Sequence, residues 1–174
     1  MNIEYRAPTL LDVEDLSKLG QDTFIATFGH LYSSEDLNTF LERVFHPHVI
    51  LNELSNPMLQ YRVAEDAAQE NPLIGYCKIG QVRVPVVPQG KALELRQLYL
   101  RQSYFGRGIA STLMKWAMDQ FTVQGAEEVY LSVWSENQRA IRFYERFGFS
   151  NVGTYEYMVG NHADHEFIYR RTMP

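Results

Sequence analysis

The run Leu95-Arg96-Gln97-Leu98-Tyr99-Leu100-Arg101-Gln102-Ser103-Tyr104-Phe105-Gly106-Arg107-Gly108-Ile109-Ala110-Ser111-Thr112-Leu113-Met114 changes its hydrophobic period partway along and carries two glycines at the change. Its first part alternates as a strand does, and its last part spaces apolar residues as a helix does. Between them, Gly106 and Gly108 permit tight backbone turns without a Cβ clash. Successive N–H groups can then point outward where a helix begins, at the positive end of its dipole. The loop therefore reads as a cradle for an anion, most often a phosphate. The glycine pair alone also fits a plain strand-to-helix connection with no ligand.

Two nucleotide motifs fail on the residues. A P-loop needs Lys and then Ser or Thr after its glycines, whereas this loop runs Gly108-Ile109-Ala110-Ser111. A dinucleotide fingerprint needs an acid at the C-terminal end of the following strand, but Glu127 and Glu128 precede the strand expected over residues 129–133.

A chain of 174 residues suits one domain, residues 1–174, that buries roughly two-thirds or more of its unfolded surface. With 45% hydrophobic and 21% charged residues, disorder and coiled coil are poor readings. The first residues show no basic segment followed by an apolar run, and no stretch reaches a membrane span. A soluble, cytoplasmic protein with no membrane partner is expected. A net charge of −5 disfavours nucleic acid and suits a cationic partner. The single cysteine, Cys77, lies in an apolar run and reads as a small buried hydrophobe. A monomer or homodimer is expected.

Taken in order, residues 3–6 make a short strand, and Thr9 with Asp12 starts a helix over residues 10–19 that continues through Phe24 and Phe28. Ser34-Glu35-Asp36-Leu37 opens a second helix with the stripe Leu37, Phe40, Leu41 and Val44, and a short third piece follows Pro47. Residues 61–64 and 74–84 read as neighbouring strands, residues 92–100 as the next, and 108–124 as a helix. A strand over 129–134 leads to a helix capped by Ser135 or Asn137 and closed by Gly148. Strands over 150–159 and 165–171, joined by a loop over 160–164, finish the chain. The pattern implies an α/β layer structure.

Asn137 and Tyr144 are seven residues apart, so one helix face offers an amide and, about 10 Å further along, a phenol. Asn137 also reads as an N-cap and Tyr144 as a core aromatic. The glycine turn after a strand, followed by Asn137-x-x-Ala140-x-x-Phe143-Tyr144-x-x-x-Gly148-Phe149, resembles the GCN5-related N-acetyltransferases, the GNAT family. Thr23-Phe24-x-x-Thr27-Phe28, Glu53-Leu54-Ser55, Leu93-Glu94 and Val133-Trp134-x-x-Asn137 look like its PaiA type, bacterial polyamine N-acetyltransferases.

The resemblance implies a single-domain GNAT fold: a mixed central β-sheet of about six or seven strands flanked by about four helices. It implies acetyl-CoA as co-substrate and a small amine as acceptor, with a polyamine such as spermidine or spermine as first choice. By the same likeness the pyrophosphate sits on Gly106, Arg107, Gly108, Ile109 and Ala110, and the pantetheine runs beside Leu98, Tyr99 and Leu100. Asn137, Ala140 and Tyr144 complete the cofactor site. Phe105 stands where the family commonly has Arg or Gln, and Arg107 is expected to supply the charge instead.

The implied chemistry is direct attack of an amine on the acetyl thioester. An alkylammonium has a pKa near ~10.4, so a base must take its proton first. Glu94, taken to share strand parity with Arg96, Leu98 and Leu100, is the candidate base, and Tyr144 the candidate acid for the departing thiolate. Backbone N–H groups around Leu98 to Leu100 are candidates to hold the thioester oxygen. Phe24, Phe28 and Tyr32 are expected to wall the amine pocket, with Glu35 or Asp36 attracting the cation. His46-Pro47-His48 and the pair His162 and His165 make poor metal ligands, so no metal is expected. Acetylation of a protein N-terminus, a lysine or a drug amine is the alternative, and a non-catalytic acyl-CoA sensor is the rival of another class.

Overall fold

Thr9 and Asp12 form the reciprocal cap that their spacing predicts: the Thr9 hydroxyl accepts from the Leu11 N–H, and the Asp12 carboxylate accepts the Thr9 N–H at 2.6 Å. The computed structural model describes residues 2–70 and 72–174. A short 3-10 turn leads from the cap into α1 (Val13–Phe28). Asp12 also receives two guanidinium bonds, at 2.7 and 2.8 Å, from Arg6 of β1 (Ile3–Arg6), and this pairing holds its carboxyl down at about 2.

Asp12→Asn should therefore lower stability at neutral pH by about 1–2 kcal/mol, discounted because Arg6 is 31% exposed. The folded pKa lies below the unfolded one, so this contribution is present above about pH 4 and is lost as pH falls toward about 2. Urea unfolding at neutral and acid pH checks it: variant and wild type should converge at the acid end.

Ser33 caps α2 (Ser34–Phe45), and His46 caps α3 (Pro47–Leu54) by accepting the His48 N–H on Nδ1. Five α-helices form among the described residues, α3 being the short third piece expected after Pro47, which presets φ at the first helical position. The others are α4 (Ile109–Val123) and α5 (Gln138–Arg146).

The strands β2 (Gln60–Asp66), β3 (Leu73–Gly80), β4 (Ala92–Leu100), β5 (Glu128–Trp134), β6 (Ser150–Val159) and β7 (His162–Thr172) join β1 in one mixed sheet of order β1-β2-β3-β4-β5-β7-β6. Every neighbouring pair is antiparallel except β4 with β5. Leu113, Met114 and Phe121 of α4 pack on one face with Val129 and Leu131. The helices α1 to α3 cover the other face, where the fully buried Phe45 lies so close that a Cβ on Gly20 would meet its ring at 2.4 Å. That approach seats α1 against the end of α2, and Phe24 and Phe28 follow further along α1.

Two element boundaries differ from expectation. The strand expected over 74–84 ends at Gly80, since Pro85 and Pro88 withhold ladder donors and residues 81–91 form a loop instead. The loop expected over 160–164 shrinks to Gly160-Asn161: Gly160 adopts φ +56°, and Asp36 accepts the Asn161 N–H at 2.8 Å. Asp164 consequently belongs to β7.

Candidate active site

The parallel pairing of β4 and β5 stops after Ala92–Glu128, Leu93–Val129 and Glu94–Tyr130. Beyond it no pairing joins the C-terminal halves of the two strands, and a cleft of about 1400 Å³ opens there. Ligands of α/β sheets gather at such carboxyl ends. Arg101 donates its N–H to the Ile74 carbonyl at 2.8 Å, so alternation along β4 turns the N–H groups of Leu98 and Leu100 away from β3, toward the gap. Leu98, Tyr99 and Leu100 all line the cleft.

A bulge at Arg96 changes the strand's parity. Lys78 pairs with Gln97 but Ile79 with Leu95, leaving Arg96 as the extra residue. Leu93, Leu95, Leu98 and Leu100 therefore face α4, while Tyr99 packs against the α1–α3 side. The parity expected for Glu94 with Leu98 and Leu100 is corrected accordingly: Glu94 shares the face of Tyr99. Long-range pairing with β3 decides this, and the local pattern carries no sign of it.

The glycine turn has the predicted form. Gly106 and Gly108 adopt φ of +76° and +79°, and Gly108 is the N-cap of α4 with no side chain capping that end. The first helical bond runs from the Thr112 N–H to the Gly108 carbonyl at 3.0 Å, so the N–H groups of Ile109, Ala110 and Ser111 precede it. Gly106, Gly108, Ile109 and Ala110 line the cleft, and a Cβ built on either glycine meets nothing within 4 Å. An uncapped helix end facing open space fits a diphosphate.

Arg107 is turned elsewhere. Its guanidinium lies 5.3 Å from the Tyr104 ring centroid and borders a separate hollow with Asp66, held there by the aromatic face. Arg107 does not border the cleft, whereas three arginines of α5 do. Arg139 lies 3.3 Å from the centroid of the Phe105 ring and lines the cleft, as do Arg142 and Arg146. The Phe105 departure thus gives Arg139 an aromatic platform at the turn.

On α5, Asn137 is the N-cap and accepts the Ala140 N–H at 3.2 Å. Asn137, Ala140 and Tyr144 border the cleft together. The Tyr144 ring packs between Phe143 and Phe149, with centroids 5.4 and 6.3 Å away. Its hydroxyl bonds no other described residue, and burial raises its pKa, with the Cys77 thiol and Glu166 adding to the rise.

At the opposite end, Phe24 stacks with Tyr32 at 5.9 Å and lies 5.1 Å from Phe28, which meets Trp134 edge-on at 6.0 Å. All four line the cleft. Glu35 and Asp36 do not: Asp36 is engaged by the Gly160-Asn161 turn. The carboxylates at this end are Asp164 and Glu166 of β7. Asp164 accepts the Tyr32 hydroxyl and lies 3.2 Å from His162. Burial first, and then the Asp164 charge, push Glu166 up to about 7.

Glu94 borders the cleft with its carboxylate bonded by the main-chain N–H groups of Arg83 and Val84. Burial raises it against those bonds. Nearby, Lys78 is paired with Glu53 at 3.0 Å, and Tyr61 donates to the same carboxylate. Arg96 bonds the Gln81 carbonyl through two nitrogens, and its buried Nη1 has no hydrogen-bond partner among the described residues.

The model of the acetyltransferase (GNAT) family matches residues 21–149. The chain belongs to that family. It is an acetyl-CoA-dependent N-acetyltransferase. It is similar to an uncharacterized N-acetyltransferase of Lactobacillus delbrueckii subsp. lactis, 24% identical over 165 residues covering 93% of this chain and 92% of that one. It is also similar to a spermidine N(1)-acetyltransferase of Thermoplasma acidophilum, 25% identical over 150 residues covering 86% and 89%. In fold it matches the crystal structure of the PaiA N-acetyltransferase from Thermoplasma acidophilum in complex with coenzyme A, with TM-score 0.79, 24% identity and 99% and 100% coverage.

In this acetyltransferase the sequence reading missed the basic stripe Arg139, Arg142 and Arg146, although its i, i+3, i+7 spacing was visible. It also missed Glu166, for which no local signal existed. Among the described residues no three His, Cys, Asp or Glu side chains cluster as metal ligands, and no helix is long and apolar enough to cross a membrane.

Proposed function

We propose that the enzyme acetylates a primary amine by direct attack on the acetyl thioester, with a polyamine such as spermidine or spermine as acceptor. The observation that carries this reading is one cleft that joins an uncapped helix end and the three arginines of α5 to aromatic walls and two β7 carboxylates, with Arg43 and Arg83 also on its lining. The helix end with the α5 arginines suits a polyanionic acetyl-CoA, and the aromatic walls with the carboxylates suit a cationic chain with apolar segments. The Thermoplasma relative named as a spermidine acetyltransferase supports the acceptor class.

In this reading the amides of residues 106–110 hold the pyrophosphate, and Asn137 and Ala140 flank the cofactor. The N–H groups of Leu98 and Leu100 stabilise the developing oxyanion. Tyr144 gives its proton to the departing sulfur, and a buried carboxylate, for which Glu94 is the sequence-derived candidate, takes the proton of the amine. Phe24, Phe28 and Tyr32 wall the acceptor. A monomer or homodimer working in the cytoplasm completes the reading; the buried, unbonded thiol of Cys77 needs no oxidising compartment.

Thiol release from acetyl-CoA across an amine panel tests it, with spermidine and spermine expected to give the highest kcat/KM. Turnover only with peptide or lysine amines replaces the polyamine. Binding of acetyl-CoA with no release over the whole panel replaces the catalyst with a sensor.

A further inference from the structure

We propose that Glu166 of β7 is the group that takes the proton from the acceptor amine, a role that rests on the amine-acetylation reading above. The sheet delivers this residue to the reacting end. In the ladder it lies opposite Trp134, the last residue of β5, and opposite Tyr155 of β6. Its side chain therefore borders the cleft at the open end of the β4–β5 gap. It lies outside the segment 21–149 that defines the family match.

Two further carboxylates border this cleft away from the Lys78–Glu53 ion pair and the Tyr32-bonded Asp164, Glu94 buried and Glu166 half-buried, and their environments differ. Glu94 accepts two main-chain N–H groups on one oxygen, Oε2, and these bonds favour its ionised form and make it a weaker base. Among the described residues the Ser132 hydroxyl is the hydrogen-bonding neighbour of Glu166. The groups that face Glu166 are Asp164 on its own strand, Tyr155 and Tyr157 on β6, Tyr99 on β4, Tyr32 after α1 and Tyr144 on α5. His162 reaches this group through Asp164. The phenols are all raised by burial and stay neutral, so Asp164 supplies the facing negative charge, and with burial it brings Glu166 up to about 7. A base with that value is ionised in an appreciable fraction at neutral pH and accepts an ammonium proton far more readily than an ordinary glutamate. Its charge also acts on the Tyr144 phenol, which borders the same cleft.

The protons balance. The ammonium loses one proton to the Glu166 carboxylate, and the freed lone pair forms the N–C bond to the acetyl carbon. The carbon–sulfur bond breaks, and the sulfur takes the Tyr144 proton. The resulting phenolate regains a proton from the acetylated nitrogen, leaving a neutral amide. Glu166 then releases its proton to solvent.

The test is the pH dependence of kcat in the thiol-release assay, with spermidine or the best amine of the panel. In wild type kcat should rise with pH through an apparent value near ~7. Glu166→Gln should lower kcat at neutral pH about 100-fold, erase that rise and leave acetyl-CoA affinity within about twofold, whereas Glu94→Gln should keep the rise. A Glu166→Gln enzyme that keeps it, or a Glu94→Gln enzyme that loses it, overturns the proposal. Misfolding is separately visible: removing a half-buried ionisable carboxyl should raise the melting temperature above neutral pH, since its folded pKa lies above its unfolded one.

A second measurement needs no turnover. In 13C-glutamate-labelled Glu94→Gln protein, one carboxyl should titrate near ~7 and vanish on adding Glu166→Gln; titration of every glutamate in the ordinary range near ~4.3 overturns the proposal. Absence of release with every amine sinks the amine-acetylation reading, while release with an unchanged Glu166→Gln profile sinks this inference alone.

Discussion

Tyr144→Phe should lower kcat about 10²- to 10³-fold while leaving acetyl-CoA affinity within about twofold. Removing the hydroxyl deletes one oxygen and no hydrogen bond, since that hydroxyl bonds no other described residue, so the ring keeps its packing between Phe143 and Phe149. What disappears is a proton. Burial, with Cys77 and Glu166 nearby, holds the phenol in its protonated form throughout the neutral range, and a group that never ionises is a dependable donor to a sulfur leaving as thiolate. Position makes the donor specific: Tyr144 stands two helical turns after the cap residue Asn137 and borders the same cleft. Steady-state kinetics combined with calorimetric binding of acetyl-CoA decides the matter. Equal kcat in the two proteins removes Tyr144 from the chemistry, and a loss confined to affinity makes it a binding residue only.

Gly108→Val should weaken acetyl-CoA binding tenfold or more and lower stability by about 1–2 kcal/mol. The stability loss comes from φ +79°, a left-handed backbone that a β-branched residue tolerates poorly. The affinity loss has a different origin. A Cβ on residue 108 meets nothing within 4 Å, so in the free protein its atoms have room, but that room is where a diphosphate must approach the amides at the start of α4. Gly125→Val separates the two effects. Gly125 has φ +68° just past the other end of α4 and does not border the cleft, so its replacement should reduce stability and leave affinity alone. Equal affinity losses in the two variants would transfer the effect from the cradle to the helix as a whole.

The parts of the site that could be read before any fold was known are those made by neighbours in the chain. Asn137 caps the helix that its Asn-x-x-Ala pattern announces, and Tyr144 follows at seven residues on the same face. The glycine turn adopts the positive φ values that two glycines flanking one residue suggest. The capping pair Thr9 and Asp12 starts the first helical stretch, as its spacing predicts. Each of these depends on contacts within about one helical turn of sequence, where propensity and geometry act directly.

The misread features depend on partners far along the chain. The face of Glu94 follows from a bulge that appears only when β4 pairs with β3, and one inserted residue reverses a strand's alternation. Arg107 lies over the Tyr104 ring and away from the cleft, while Arg139 lies over the Phe105 ring and on the cleft's lining. Asp36 is drawn to the Gly160-Asn161 turn, 125 residues away, rather than to an amine.

By itself, then, the sequence determined the order of strands and helices, the glycine bend, the capped helix with its amide and phenol, and membership of a recognisable pattern of these parts. Short-range sterics and hydrophobic period suffice for all of it. Only the tertiary structure decided that β4 and β5 part after three pairs, and that β7 enters the sheet between β5 and β6 with Glu166 at the gap. Strand pairing is a long-range choice made by burial of whole faces, and a lone glutamate in an alternating strand carries no mark of the neighbours that choice will give it.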